Sequence, residues 1–214
     1  MSMPRSTARA RAWFLSALLL APATAHATTV RKHLNIVDLL QESELIVRGR
    51  VKAVTDGIDS RGVPYTEVTL LVAESLKGQP GSELTFRQFG LLAPRRVGDG
   101  RVNLMVTPAG WATYAKGEES IFFLRRKAAW TGLRTTAGLA QGQFRVSVGG
   151  AANAVDNAGL FEHVVIDPGL LGDAEKRVMA TARGPVNAKG FASLIKQAVD
   201  GKWIESGRMR HADR

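Results

Sequence analysis

Cysteine is absent from all 214 residues, which removes disulfides, thiolate metal ligands, a cysteine nucleophile and a lipid-modified N-terminal cysteine. Histidine is scarce. His33, His163 and His211 stand far apart with no H-x-x-x-H pair, so neither a metal site nor a cofactor is expected. Glu162 and His163 are adjacent and would point to opposite faces of a strand. There is no G-x-S-x-G elbow; Ser75, Ser82, Ser120, Ser147 and Ser193 fall within ordinary strand or helix patterns. The segment "VGDGRVN" lacks the third glycine and the Lys-Ser or Lys-Thr of a phosphate cradle and reads as a turn. Glu118 and Glu119 head a strand, where alternation sends them to opposite faces. No catalytic residue is assigned, and an enzyme is not the expected class.

Long apolar runs are also missing, with one short exception at the start. Arg5, Arg9 and Arg11 precede an apolar run from Ala12 to Pro22, followed by the A-x-A site Ala25-His26-Ala27. The pattern is that of a secretory signal peptide over 1–27, since a spanning helix needs roughly 20 apolar residues. Cleavage would leave Thr28 first, no membrane span, and a periplasmic or extracellular address. Removing the three leader arginines from the formal charge of +10 leaves +7. That excess favours anionic partners without specifying a fold. Export makes nucleic acid an improbable partner, and an exported protein or an anionic envelope polymer fits the address better.

What is present is periodicity. Asn35 can cap a short helix, "IVDLLQESE", with Ile36, Leu39 and Leu40 on one face. The period then drops to 2. "LIVRGRVKAV" alternates, "DGIDSRG" is a turn, and "PYTEVTLLVAESLKG" alternates again with Val68, Leu70, Val72 and Leu76 on one side. These runs predict a long hairpin, extended by "ELTFRQF". From Gly90 to Gly117 the pattern lapses, as functional or mobile connections do. "ESIFFLRR", "WTGLRTT", "QFRVSV" and "HVVI" read as later strands, and "NAKGFASLIKQAVDGKWI" as an amphipathic helix stopped near Gly201. The expected fold is mainly β: a small OB-like, closed β-barrel over 28–170, with a short N-terminal helix. A C-terminal helical extension over 171–204 would pack on the barrel, and 205–214 would be a disordered tail.

The order "SELIVRGRV", "YTEVTLLVAESLKG", "ELTFRQF", "GEESIFFL", "GLAQGQFRV" resembles a family of exported bacterial proteins of uncharacterised activity. In that family a D-L-I-V-x-G-x-V strand leads to E-x-L-K-G, G-E-x-x-x-x-F-L and G-L-x-Q-G-x-F segments. More distantly, the first half resembles the netrin-like domain of the tissue inhibitors of metalloproteinases, in which a V-I-R-x-x-V strand runs through a turn into one closing on K-G, as Leu76-Lys77-Gly78 does here. That resemblance implies a five-stranded OB-type barrel with helices against it. It does not carry inhibition over, because the family's inhibitory N-terminal cysteine and its disulfides are missing from this chain.

Two groups of residues are candidates for binding. Arg48, Arg50 and Lys52 would project from one strand face about 7 Å apart, either as an anion-binding patch or as a solvated face neutralised by glutamates such as Glu67 or Glu83. Trp111 and Tyr114 lie in the irregular segment. Loop aromatics make good anchors because they bury large area with few rotamers lost; alternatively they cover a barrel end. Trp130 and Trp203 are expected to pack. The function these readings point to is an exported, non-enzymatic binding module using loop 90–117 and the basic strand face. A secreted protease inhibitor-like protein and an envelope hydrolase are the alternatives.

Overall fold

The alternation of Leu45, Val47 and Val51 with charged residues builds a strand of 14 residues, β1 (Leu45–Ile58), which turns back at Asp59 into an equally long β2 (Pro64–Lys77). Asp59 accepts hydrogen bonds from the backbone N–H groups of Arg61 and Val63 and thereby sets that turn. Before the hairpin lies α1 (Ile36–Glu42). Asn35 caps it, its side chain accepting from Val37 and Asp38, while the Asp38 carboxylate accepts from the Asn35 N–H. After the hairpin come β3 (Glu83–Phe89), the two-residue strands β4 (Arg95–Arg96) and β5 (Val102–Asn103), and then β6 (Glu119–Leu124), β7 (Gln143–Val146), β8 (Ala151–Asn153) and β9 (Val164–Ile166). The chain finishes with α2 (Asp173–Met179), β10 (Val186–Asn187), α3 (Ala188–Asp200) and β11 (Met209–His211). The computed structural model describes residues 33–96, 100, 102–103, 105–153, 159–181 and 184–212, within one compact unit spanning 32–214. The expected signal peptide over 1–27 and Thr28 lie outside the described residues.

Seven strands form one antiparallel sheet in the order β10-β8-β7-β6-β1-β2-β3. Both of its faces are covered around β1 and β6, so neighbouring residues enter different cores. Ile46, Ile121, Phe123 and Phe144 face α1 and α3. There Phe123, Phe144 and Phe191 form a triangle with ring centroids 4.8 to 6.1 Å apart. Val47, Phe122 and Leu124 face the opposite side, with Val51, Val68, Leu70 and Phe86. Register shifts in β1 between Ile46 and Val47, Arg48 and Gly49, and Val51 and Ala53 break strict alternation. Val68 and Leu70, expected on one side with Leu76, accordingly enter one core while Leu76 enters the other.

The fold is mainly β with flanking helices, but the expected closed barrel is not formed. β3 and β10 are the ends of an open sheet. β3 pairs with β2 alone, and the segment 133–137 runs along its other side without forming a strand. This segment bridges to β6 at Leu124–Thr136, yet it gives β3 a single backbone bond, from Arg134 N–H to the Arg87 carbonyl at 2.7 Å. "WTGLRTT" is therefore not a regular strand.

The C-terminal end also departs from expectation. Residues 171–204, expected as a packed helical extension, hold α2 and α3 and also the strand β10, which joins the main sheet, while α3 supplies Phe191, Leu194 and Ile195 to the core. The tail is ordered through residue 212: β11 pairs with β9, and Met209 is fully buried. Trp203 packs in the core as expected, whereas Trp130 is 79% exposed. Among the described residues no helix is long and apolar enough to cross a membrane.

Candidate functional site

The basic stripe is an ion-pair ladder. Arg48 donates through Nε to Glu119 at 2.8 Å, and Arg50 donates through Nη2 to the same carboxylate at 3.1 Å. Arg50 also reaches the Gly117 carbonyl, and Lys52 pairs with Glu83 on β3 at 2.5 Å. Register explains the convergence, since Arg50 lies directly opposite Glu119. Arg87 and Glu67 repeat the motif between β3 and β2 at 2.7 Å. Each cation of the stripe contacts a carboxylate, with Arg48 and Arg50 sharing Glu119 and Lys52 meeting Glu83, the partner that the sequence suggested.

The two loop aromatics have different environments. Gly90 opens the loop at φ +102, and a β-carbon there would meet the Thr107 backbone at 2.5 Å, so the close return of the chain requires glycine. The loop folds back against the sheet, and Tyr114, partly buried, packs against the second core. Its ring stands 5.7 Å from Phe86 and 6.2 Å from Phe122, and its hydroxyl donates to Gln88 Oε1 at 3.1 Å. Desolvation pushes the Tyr114 phenol well above its ordinary value. Tyr114 thus plugs the space between loop and sheet, and it also lines a cavity of about 390 Å³ on that side. The Gln88 side chain also donates to the Ala112 carbonyl, tying β3 to the loop where no strand partner is present.

Trp111 remains half-buried, 6.4 Å from Phe89 at the end of β3. These two rings form one wall of a cavity of about 270 Å³, whose other sides are Ala128, Leu133 and the arginines Arg125, Arg126 and Arg134. The opposite wall is a tight loop: Arg125 N–H donates to the Thr135 carbonyl and Ala128 N–H to the Leu133 carbonyl. Arg61, at the tip of the β1–β2 hairpin, holds that loop in place. It donates to the carbonyls of Trp130 at 2.6 Å and Thr131 at 3.2 Å, and its guanidinium stacks 5.6 Å from the Trp130 ring.

Arg134 is the unusual member of this wall. Its side chain is only 5% exposed; Nη2 pairs with Glu44, while Nε and Nη1 are buried with no hydrogen-bond partner. Burial pushes its guanidinium below the ordinary value, and Glu44 partly offsets this. Arg125 and Arg126 are held loosely, 3.6 Å from Glu42 and 3.5 Å from Glu44. Sequence reasoning missed Phe89 and Arg134. The available signal was the basic run Arg125-Arg126-Lys127 directly after the apolar "SIFFL", but nothing local distinguishes Arg134 from a surface arginine.

A second cavity, of about 500 Å³, is lined by Glu118, Glu119, Arg145, Ser147 and Asn153. The expectation that Glu118 and Glu119 diverge fails because Glu118 precedes β6. It sits in a turn, its carboxylate accepting from Ala115 N–H at 3.2 Å, and both side chains line the same space. Glu118 lies 3.6 Å from Arg145, whose Nη2 donates to the Thr113 hydroxyl and carbonyl. Among the described residues no group of three or more His, Cys, Asp or Glu converges as a metal site would require. His211 lies 3.7 Å from Asp38 and 3.3 Å from the Asn35 amide, beside the α1 cap.

Comparison with protein-family models, curated proteins and solved structures finds no match to this chain.

Proposed function

We propose that the chain is an exported, non-enzymatic binding module of netrin-like ancestry that takes its ligand through Trp111 and the cavity beside it, rather than through the β1 stripe. The observation that carries this reading is the half-buried pair Trp111 and Phe89 standing over under-paired arginines. A large aromatic wall with a few polar groups converging on it is the usual make-up of a ligand site. The leader and its A-x-A motif support export. The partner is an exported protein or an envelope polymer, in keeping with that address.

The test is capture from the producer's envelope and secreted fractions by immobilised protein, with washes at about 0.15 M and about 0.5 M salt. Exposed charge contacts weaken as the screening length falls from about 8 Å, whereas a shaped aromatic contact persists. Trp111→Ala should abolish capture at both salts; unchanged capture would end the reading. A secreted protease inhibitor remains an alternative without a supporting contact in the described region. The envelope hydrolase has one specific observation in its favour, the shared cavity of Glu118 and Glu119, and loss of a hydrolytic activity on polysaccharide in Glu118→Gln with the fold intact would establish it.

A further inference from the structure

The charge around the Trp111 cavity does not balance. Arg125, Arg126 and Arg134 face only two carboxylates, those of Glu42 and Glu44, which leaves one positive charge in excess. The remaining walls, Phe89, Trp111, Ala128 and Leu133, are apolar. Two of the Arg134 nitrogens are unpartnered beneath the surface, and an unmet donor on a buried cation is costlier than on a neutral group. From this geometry we infer that the cavity binds a monoanionic carboxylate carried on an apolar body, with the arginines taking the charge and Trp111, Phe89 and Leu133 taking the body. The inference rests on the reading of Trp111 as the binding anchor and adds the chemical class of the ligand.

Size and charge select this class. A cavity of about 270 Å³ is at the small end of ligand sites and accommodates a group comparable to one amino-acid residue. A phosphate dianion would overshoot a single excess charge and would leave the aromatic wall without a partner. The carboxylate first meets Arg125 and Arg126, whose side chains are 52% and 86% exposed. The Arg134 donors lie under the cavity wall, so they join by a side-chain shift of the kind common on binding. Such an acid has two natural sources, a free aromatic acid and the C-terminal residue of a polypeptide. The larger cavity at Glu118 is less suited to such a ligand, because two carboxylates, Glu118 and Glu119, stand in its own lining and repel a further one, whereas the Trp111 cavity has no acid among its lining residues.

Calorimetric titration of the purified protein with N-acetyl-phenylalanine, its amide and inorganic phosphate tests the inference. The acid should bind at least about tenfold more tightly than the amide, since a hydrogen bond to a charged group contributes roughly 1.5–3 kcal/mol and about 1.4 kcal/mol is tenfold. Phosphate should bind more weakly than the acid. Arg134 is too buried to vary safely, so the variants are the exposed Arg126→Ala, expected to weaken the acid several-fold, and Ala128→Trp, expected to fill the cavity and abolish binding. Equal binding of acid and amide, or phosphate binding as well as the acid, would overturn the carboxylate assignment. So would an absence of binding by the acid. If Trp111→Ala nevertheless abolishes capture from envelope fractions, the binding-module reading survives that loss; if capture is unaffected, both fall. A peptide ending in phenylalanine that binds more tightly than the free acid assigns a polypeptide chain end, and equal affinities assign a free acid.

Discussion

On β1, Arg48 and Arg50 converge on the single carboxylate of Glu119 while keeping access to water; around Trp111, three arginines share Glu42 and Glu44, and Arg134 is sealed from solvent. Both places are basic in sequence. They differ in what register and burial do to the donors, since Arg134 alone among these cations has buried nitrogens without a hydrogen-bond partner. Across paired strands, facing positions supply a counter-ion at fixed distance, so each cation of the stripe contacts a carboxylate through the geometry that builds the sheet, with Arg48 and Arg50 sharing one. The 125–135 loop has no such partner strand, and it brings Arg134 inside with one bond to Glu44. Charge density read along a sequence is thus a weak guide to binding, and unmet charge in a folded wall is a stronger one.

This contrast can be broken in several places. The largest effect should come from Tyr114→Ala, which removes the plug beneath the loop that carries Trp111. A loss of about 3 kcal/mol is expected from a buried aromatic truncation, read by urea unfolding, whereas Trp111→Ala should stay below about 1 kcal/mol. Next is Glu44→Ala, which leaves Arg134 buried without its counter-ion and should cost about 2–3 kcal/mol. Adding Arg134→Met to that variant should recover most of the loss, and no recovery would mean that Glu44 acts through something other than the pair. On the stripe, Glu119→Ala should cost about 1 kcal/mol, because exposed pairs contribute little each. A thermal melt that shows the stripe variant to be the more damaging of the two glutamate changes would reverse the comparison.

The smallest effect concerns pH. The Tyr114 phenol is raised in the folded chain by desolvation, so its contribution to stability is complete below the unfolded value of about 10 and declines as pH rises beyond it. Tyr114→Phe should lose about 1 kcal/mol at neutral pH with the hydrogen bond to Gln88, but fall less steeply between about pH 10 and pH 12. Parallel curves for the two proteins would remove Tyr114 as the titrating group.

Local pattern made some of this legible. The capped helix at Asn35, the long hairpin, the amphipathic helix after Asn187 and the buried Trp203 all rest on spacing within a few turns or one strand. What was not legible depends on distant partners. β1 carries three register shifts whose positions are set by its neighbours β2 and β6, so the side that Leu76 faces is not fixed by its own strand. β9 and β11 are three residues each, too short to show a period, and exist because they pair with one another. Arg134 looks like a turn arginine until the 133–137 segment is laid between β3 and β6. Tyr114 and Trp111 share a loop and a residue class, and only the return of that loop onto Phe86 and Phe122 separates a plug from a wall.

The pairing of β11 with β9 has a consequence for how the molecule forms. Asn35 donates to the Glu162 carbonyl at 3.1 Å and sits beside His211, while Ala212 N–H donates to the His163 carbonyl at 2.7 Å. The cap of α1 therefore rests against a residue 176 positions further along the chain. Such long-range closure slows folding, because loop entropy is lost before the contacts repay it. α1 cannot complete its surroundings until β11 is in place, so acquisition of the native state joins elements from opposite ends of the described residues, and removal of β11 would open the core where Met209 is buried and loosen α1 together.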